Sequence, residues 1–419
     1  MLSEQEKLDS LRLLGIELSQ INDLDILMER VLLRARQFAN ADAGSIYICE
    51  GEWLHFTYTQ NESLERLLPK GEKLIYSTFK VPIDEKSIAG YVAATGLPLR
   101  IDDVYQLDPA LPYCFSQKFD ETVGYKSQSI LTIPLWGSGA KILGILQIIN
   151  ARDTAGNIGC FTETDENMMQ HFAGVAAVAL ERAQMTRALI LRMIRMAEMR
   201  DPKETGPHVN RVAGFSVEIY EQWAMRRRIE PKEIDKTRDV LRMAAMLHDV
   251  GKVATSDLIL RKPDRLNADE YEVMKQHTIQ GARLFQNRQS DFDEAAGIVA
   301  LSHHERWDGG GYPGYIDFET GRPIKGFSLP NGMARGKKGT EIPLYGRIVA
   351  LADVFDALSS KRSYKEAWDE NTILAQIERG AGTHFDPELV EIFFSRYEIL
   401  KAIQDRYKED GELHPKERP

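Results

Sequence analysis

Apolar residues near the start of the chain, Leu8, Leu11, Ile16, Leu24, Leu27 and Val31, recur at helical spacing, and near Ala43 the pattern changes to short β-rich runs. Residues 45–49, 53–59, 128–135 and 143–150 read as strands, the last two joined by the turn Trp136-Gly137-Ser138-Gly139. Residues 87–95 read as a short helix stopped by Gly96-Leu97-Pro98. A long helix is predicted from Thr162 to about Arg200. Along it Met169, Ala173, Ala176, Leu180, Ala183, Ile190, Ile194 and Ala197 alternate in steps of four and three, with Arg187 as the one break. That spacing predicts a coiled-coil seam and a parallel homodimer through the helix, a soft seam because it is rich in alanine and methionine.

Length and composition bound what these elements can build. A chain of 419 residues is too long for one ordinary core, so two or three domains are expected. It has no apolar run long enough to span a bilayer, and residues 1–20 are charged and amphipathic, so no membrane association and a cytoplasmic location are expected. Cys49, Cys114 and Cys160 are widely spaced and far from the histidines discussed next, which argues against a disulfide framework and against thiolate-ligated zinc. The net charge of -10 disfavours a nucleic-acid polymer as partner.

The chemistry gathers after the long helix. Val240, Ala244 and Leu247 lead at helical spacing into His248-Asp249-Val250-Gly251-Lys252, with Gly251 where a helix C-cap belongs. Adjacent residues of a helix point about 100° apart, so His248 and Asp249 suit a cluster of cations better than a single one. Glu204 and His208 are four apart and could chelate one ion, with Pro207 in the first helical turn and Glu204 just ahead of it. His277 follows the capping signature Asn267 and Glu270, then come His303-His304, the turn Trp307 to Pro313, and Asp353 within an apolar helix at 348–358. Imidazole and carboxylate donors without thiolate suit iron or manganese at least as well as zinc. Clustered cations acidify a bound water and draw charge from an anionic group beside them.

Two resemblances give these patterns names. Ala41-Asp42-Ala43-Gly44-Ser45, Ile88-Ala89-Gly90-Tyr91-Val92 and Leu143-Gly144-Ile145-Leu146-Gln147 resemble the GAF family of sensory domains over about residues 20–185. Members bind cyclic nucleotides, haem, tetrapyrroles or small metabolites, so the resemblance implies an unknown small-molecule effector. His55 and His171 read as ordinary polar residues rather than haem ligands. His248-Asp249-Val250-Gly251-Lys252, His303-His304-Glu305-Arg306-Trp307-Asp308-Gly309, Gly311-Tyr312-Pro313, Ala352 to Leu358, Arg362-Ser363-Tyr364-Lys365 and Gly382 to Pro387 resemble the HD-GYP family of the HD phosphohydrolase superfamily, over about residues 185–405.

The fold implied is multidomain: an α/β GAF domain (1–160) with a central antiparallel sheet flanked by helices, a long linker helix (161–200), an all-α HD-GYP domain (201–405) and a polar tail (406–419). The activity implied is sensor-regulated hydrolysis of cyclic di-GMP to pGpG or GMP by a metal-bridged hydroxide. The resemblance carries His208, His248, Asp249, His277, His303, His304 and Asp353 over as metal ligands, and Glu204 as an extra carboxylate for a third ion. Iron, three ions, is the implied cofactor, with manganese as the alternative. Lys252 and Asp249 are the implied catalytic residues, and Lys252, Tyr312, Asp356, Arg362 and Lys365 the substrate contacts. A weakly catalytic cyclic-dinucleotide-binding scaffold and a phosphodiesterase preferring cyclic GMP-AMP are the alternatives. Residues 314–341, rich in glycine and in Arg322, Lys325, Arg335, Lys337 and Lys338, are longer than the family's link, and read equally as a lid or as a mobile surface loop.

Overall fold

The computed structural model describes residues 4–68, 79–198, 206–359 and 369–407. The chain forms two compact units, residues 1–187 and 188–419.

In the first unit the helices are α1 (Glu4–Ser19), α2 (Leu24–Phe38), α3 (Glu62–Glu65), α4 (Ile88–Thr95), α5 (Lys118–Val123) and α6 (Glu163–Glu198), which continues into the second unit. The strands are β1 (Ala41–Glu50), β2 (Trp53–Asn61), β3 (Lys80–Pro82), β4 (Leu99–Ile101), β5 (Ile130–Trp136), β6 (Ile142–Arg152) and β7 (Ile158–Gly159). They make one antiparallel sheet in the order β3-β2-β1-β6-β5-β4, with β7 added on β6. Strand side chains alternate between faces, and here both faces are covered. Ile46, Ile48, Leu146 and Ile148 pack with Leu27, Val31 and Leu32 of α2 and Phe172, Ala176 and Leu180 of α6. Tyr47 and Ile145, one residue out of phase, pack with Ala89, Val92 and Ala93 of α4. Two-sided burial is why these strands read as continuous apolar runs. Helix α4 starts where the Ser87 side chain accepts the Gly90 N–H and stops at Gly96 in the left-handed region, as its sequence predicts.

The predicted seam meets a different use in the structure. Met169, Ala173, Ala176, Leu180 and Ala183 are at most 2% exposed in the core of the first unit, against β5 and β6. Ile190 and Ile194 are buried in the core of the second. The four-three spacing thus serves packing of α6 on its own chain, and the first half of the helix is part of the first domain rather than a separate linker.

The second unit comprises α7 (Gly206–Arg226), α8 (Pro231–Met246), α9 (Asp257–Leu260), α10 (Ala268–Lys275), α11 (His277–Leu284), α12 (Asp291–Ser302), α13 (Leu344–Ser359), α14 (Glu370–Arg379), α15 (Pro387–Ser395) and α16 (Tyr397–Arg406). Its core joins Val212, Phe215 and Ile219 of α7, Leu241 and Ala244 of α8, Ala296 and Val299 of α12, and Ile348, Leu351 and Phe355 of α13. Helix α8 ends at Met246, so His248 and Asp249 lie in the turn before a 3-10 segment, Val250–Ala254, and not in the last helical turn. Gly251 is no C-cap. A Cβ there would lie 1.9 Å from the carbonyl oxygen of His277, so glycine lets this segment touch α11.

Residues 314–341 are a folded lobe. A short hairpin pairs β8 (Ile316–Asp317) with β9 (Arg322–Pro323). Tyr315 stacks on Phe327 at 3.9 Å, with the Arg335 guanidinium over both rings. Arg283 of α11 donates to the carbonyls of Phe318 (2.6 Å) and Glu319 (3.1 Å). The buried Glu305 carboxylate accepts the N–H groups of Gly314 and Lys337, at 2.7 and 3.3 Å, and so ties both ends of the lobe to the residue after His304.

Candidate metal centre

Four elements and one turn bring the candidate ligands together. His208 comes from the first turn of α7, His248 and Asp249 from the turn after α8, His277 from the start of α11, His303 and His304 from the end of α12, and Asp353 from the middle of α13. They form two groups, Asp249 with His277, His303 and His304, and His208 with His248 and Asp353, each with its donor atoms within 4.8 Å of one another. Asp249 joins the groups: its Oδ1 lies 3.1 Å from His277 Nε2 and 3.5 Å from His303 Nε2, and its Oδ2 lies 3.4 Å from His248 Nε2. Asp353 Oδ1 lies 3.8 Å from Nε2 of both His208 and His248.

The backs of the rings settle their tautomers. Nδ1 of His248 faces the Ala245 carbonyl at 2.9 Å, that of His277 faces Met274 at 2.7 Å, and that of His303 faces Val299 and Ala300 at 3.1 Å. A carbonyl oxygen only accepts, so each Nδ1 carries the hydrogen and each Nε2 turns a lone pair toward the others. Asp249 Oδ1, His277 Nε2 and His303 Nε2 are buried and make no hydrogen bond. Buried lone pairs crowded together without a donor are costly, whereas donors about 2.1 Å from a shared cation come this close as a matter of course. The residues present therefore fit divalent cations. Burial also pushes the His304 imidazole well below its ordinary 6.5, and lowers His303, which keeps both neutral as ligands. Burial works to raise the Asp249 carboxyl, but Lys252, 2.7 Å away, helps to hold it well below the ordinary range, ionised.

Asp356 differs from its expected role as a substrate contact. It is 1% exposed, accepts the His208 Nδ1 hydrogen at 2.8 Å, and is held by Arg211 through Nε and through Nη2 at 2.9 Å. It orients His208 from behind, and Arg211 in turn donates to the Tyr407 carbonyl at 2.9 Å. Sequence reading missed Arg211, although His208 and Arg211 are three apart and share a helix face. Tyr312, expected as a substrate contact, lies beside the centre, its ring 4.8 Å from that of His304. Glu204, Arg362 and Lys365 lie outside the described residues. His55 sits beside Glu50, 3.5 Å away on the first sheet, and His171 is exposed on α6.

Comparison with known proteins agrees with this geometry. A family model for the HD domain matches residues 205–358, a second HD-domain model matches 331–389, and a GAF-domain model matches 23–180. Similar curated proteins include a 3'3'-cGAMP-specific phosphodiesterase 2 of Vibrio cholerae, 33% identical over 52% of this chain and 36% of that one. A cyclic di-GMP phosphodiesterase of Thermotoga maritima is 36% identical over 52% of this chain and 51% of its own. Another of Vibrio cholerae is 33% identical over 64% of this chain and 50% of its own. The chain thus spans between about a third and a half of the length of these relatives. Among solved structures, the GAF domain of a Coxiella burnetii phosphoenolpyruvate-protein phosphotransferase is 22% identical over 44% of this chain and 99% of its own, with a TM-score of 0.34, too distant a likeness to say what the first unit binds. Residues 23–180 are thus a GAF domain of antiparallel sheet and helices, and residues 205–358, which follow it, a helical HD domain.

Proposed function

We propose that the HD unit hydrolyses a phosphodiester bond of a cyclic dinucleotide. The observation that carries this is the convergence of five imidazoles and two carboxylates, with the ring backs of His208, His248, His277 and His303 tied to acceptors, so that their Nε2 atoms turn inward. Cations bound there would supply a deprotonated water at neutral pH and offset charge on the phosphoryl oxygens. Iron, three ions, is our reading of the cofactor, with manganese as the alternative. The relatives' names divide between cyclic di-GMP and 3'3'-cGAMP, which supports the cyclic dinucleotide class.

The chain's own groups share the remaining work. Asp249 links the two ligand groups, and Lys252, held on its Oδ2, places a positive charge beside the centre where a phosphoryl or leaving oxygen would carry negative charge. Asp356 and Arg211 fix the His208 ring. Arg362 and Lys365 hold the distal phosphate, the one as a planar fork and the other as a point charge, and Glu204 supplies a third-ion ligand. The products are pGpG or GMP, and an effector at the GAF domain sets the rate through α6.

Pairing of two copies is assigned to another face of α6. Val178, Met185, Leu189 and Met196 are 72, 65, 53 and 65% exposed, at steps of seven, four and seven. Arg182 falls between them at the same repeat, but its guanidinium turns away to the carbonyls of Leu18 (3.3 Å) and Ile21 (2.7 Å), leaving its stem on the stripe.

The function is tested on purified full chain by following cyclic di-GMP and 3'3'-cGAMP to their products, with and without chelator. Metal-dependent cleavage is expected, and a metal-loaded protein that binds these nucleotides without cleaving them would establish the scaffold reading instead.

A further inference from the structure

Beside the metal centre, helix α10 carries a charged and aromatic group that the chemistry above does not use. None of its eight residues is buried, and a capping box between Asn267 and Glu270 fixes its start. Tyr271, 45% exposed, lies edge-on to Tyr312 with ring centres 6.2 Å apart, and Tyr312 in turn stacks on His304 and stands 6.4 Å from His277. The Lys275 ammonium lies 4.9 Å from the centre of the Tyr271 ring and 5.5 Å from that of Tyr312. Glu272, half exposed, meets the same ammonium at 2.7 Å. Two aromatic rings, a three-hydrogen donor and a carboxylate acceptor are therefore gathered one ring away from a metal-ligating histidine.

We propose that Tyr271, Glu272 and Lys275 form a subsite that reads a guanine base of the substrate. This rests on the phosphodiesterase reading and names what that site selects. The pyrimidine edge of guanine presents the O6 acceptor beside the N1–H and N2–H donors. Lys275 can donate to O6 while Glu272 accepts from N1–H and N2–H, and the tyrosines give the base a surface to lie against. Adenine inverts the pattern: its amino group faces the lysine, donor against donor, and its N1 lone pair faces the carboxylate, acceptor against acceptor. Unmatched polar groups of that kind are what give a site discrimination, more than the matched ones give affinity. A phosphate is the poorer occupant, because Glu272 neutralises Lys275 and repels an anion, and Lys252 already offers a cation on the metal side.

The test compares kcat/KM for cyclic di-GMP, 3'3'-cGAMP and cyclic di-AMP in the full chain and in Lys275→Met and Glu272→Gln. Inhibition constants for GMP and AMP supply a readout of binding alone. Wild type is expected to favour cyclic di-GMP over cyclic di-AMP, and each substitution to cut that preference about tenfold or more, with the GMP-to-AMP inhibition ratio falling in parallel. A preference that stays put in both variants overturns the subsite and leaves the phosphodiesterase reading intact. A loss of equal size on all three dinucleotides overturns it too, since that is how a phosphate contact or a damaged fold behaves. Wild type that cleaves none of them overturns the phosphodiesterase reading, and the subsite with it.

Discussion

Single residues decide whether the ligands are held ready. Asp356→Asn keeps the side-chain shape but removes the charge that orients His208 and balances Arg211, so metal affinity or turnover should fall about 10- to 100-fold with the helical content kept. Metal titration alongside circular dichroism checks it, and a variant binding metal like wild type would make Asp356 merely structural. Glu305 offers a pH test. Burial raises its carboxyl above the ordinary 4.5, more than Lys337 and the two backbone N–H groups lower it. A carboxyl raised in the folded state favours folding when protonated, so its contribution is best below the unfolded value and is lost as pH climbs through the folded one. Relative to Glu305→Gln, which does not titrate, wild type should lose stability over that climb, by about 1.4 kcal/mol for each unit of displacement. Urea unfolding of both proteins from acid to neutral pH reads it, and a constant difference would contradict it. The gathered histidines and carboxylates were legible in the sequence because their residue types, their spacing and the HD-GYP resemblance mark them. The role of Asp356 was not, because Asp353 and Asp356 are three apart on α13 and only depth separates the ligand from its support.

Elements were legible where local signals act alone. The short helix after Ser87, the Gly96 stop and the Asn267 capping box stand as the sequence suggests. Helix α6 was legible as a helix but its partner was not, because a four-three repeat is the same whether it packs on another copy or on its own domain. The seam positions from Met169 to Ile194, Arg187 apart, are consumed by the two cores, and the exposed stripe is the face proposed above for a second copy. Replacing Met185 and Leu189 together with glutamate should therefore turn a micromolar dimer into a monomer with little change in thermal stability. Light scattering decides this, and a pair that stays dimeric would place the contact elsewhere. The lobe at 314–341 was illegible as structure because its order comes from the Tyr315, Phe327 and Arg335 stack and from Arg283 and Glu305, partners brought together by folding rather than by periodicity.

For the whole molecule, the division into a sheet domain and a helical domain follows from the change of apolar period near Ala43 and its return at Thr162. Residues 1–187 and 188–419 each enclose their own apolar core, and α6 supplies residues to both. Among the described residues no helix is long and apolar enough to cross a membrane. The histidines come from distant parts of the chain, so the fold is what makes them one centre, proposed to bind cations and with them to cleave a cyclic dinucleotide. Asp249, a member of one ligand group and 3.4 Å from His248 of the other, is the residue that joins them. The most direct measurement is metal content together with cyclic di-GMP turnover on the same preparations of wild type and Asp249→Asn. Wild type should hold two or three ions, about one per ligand group with any third at Glu204, and turn over substrate, while Asp249→Asn should lose most of the metal and about a thousandfold or more of the rate. Equal metal content and equal turnover in the two proteins would contradict the account.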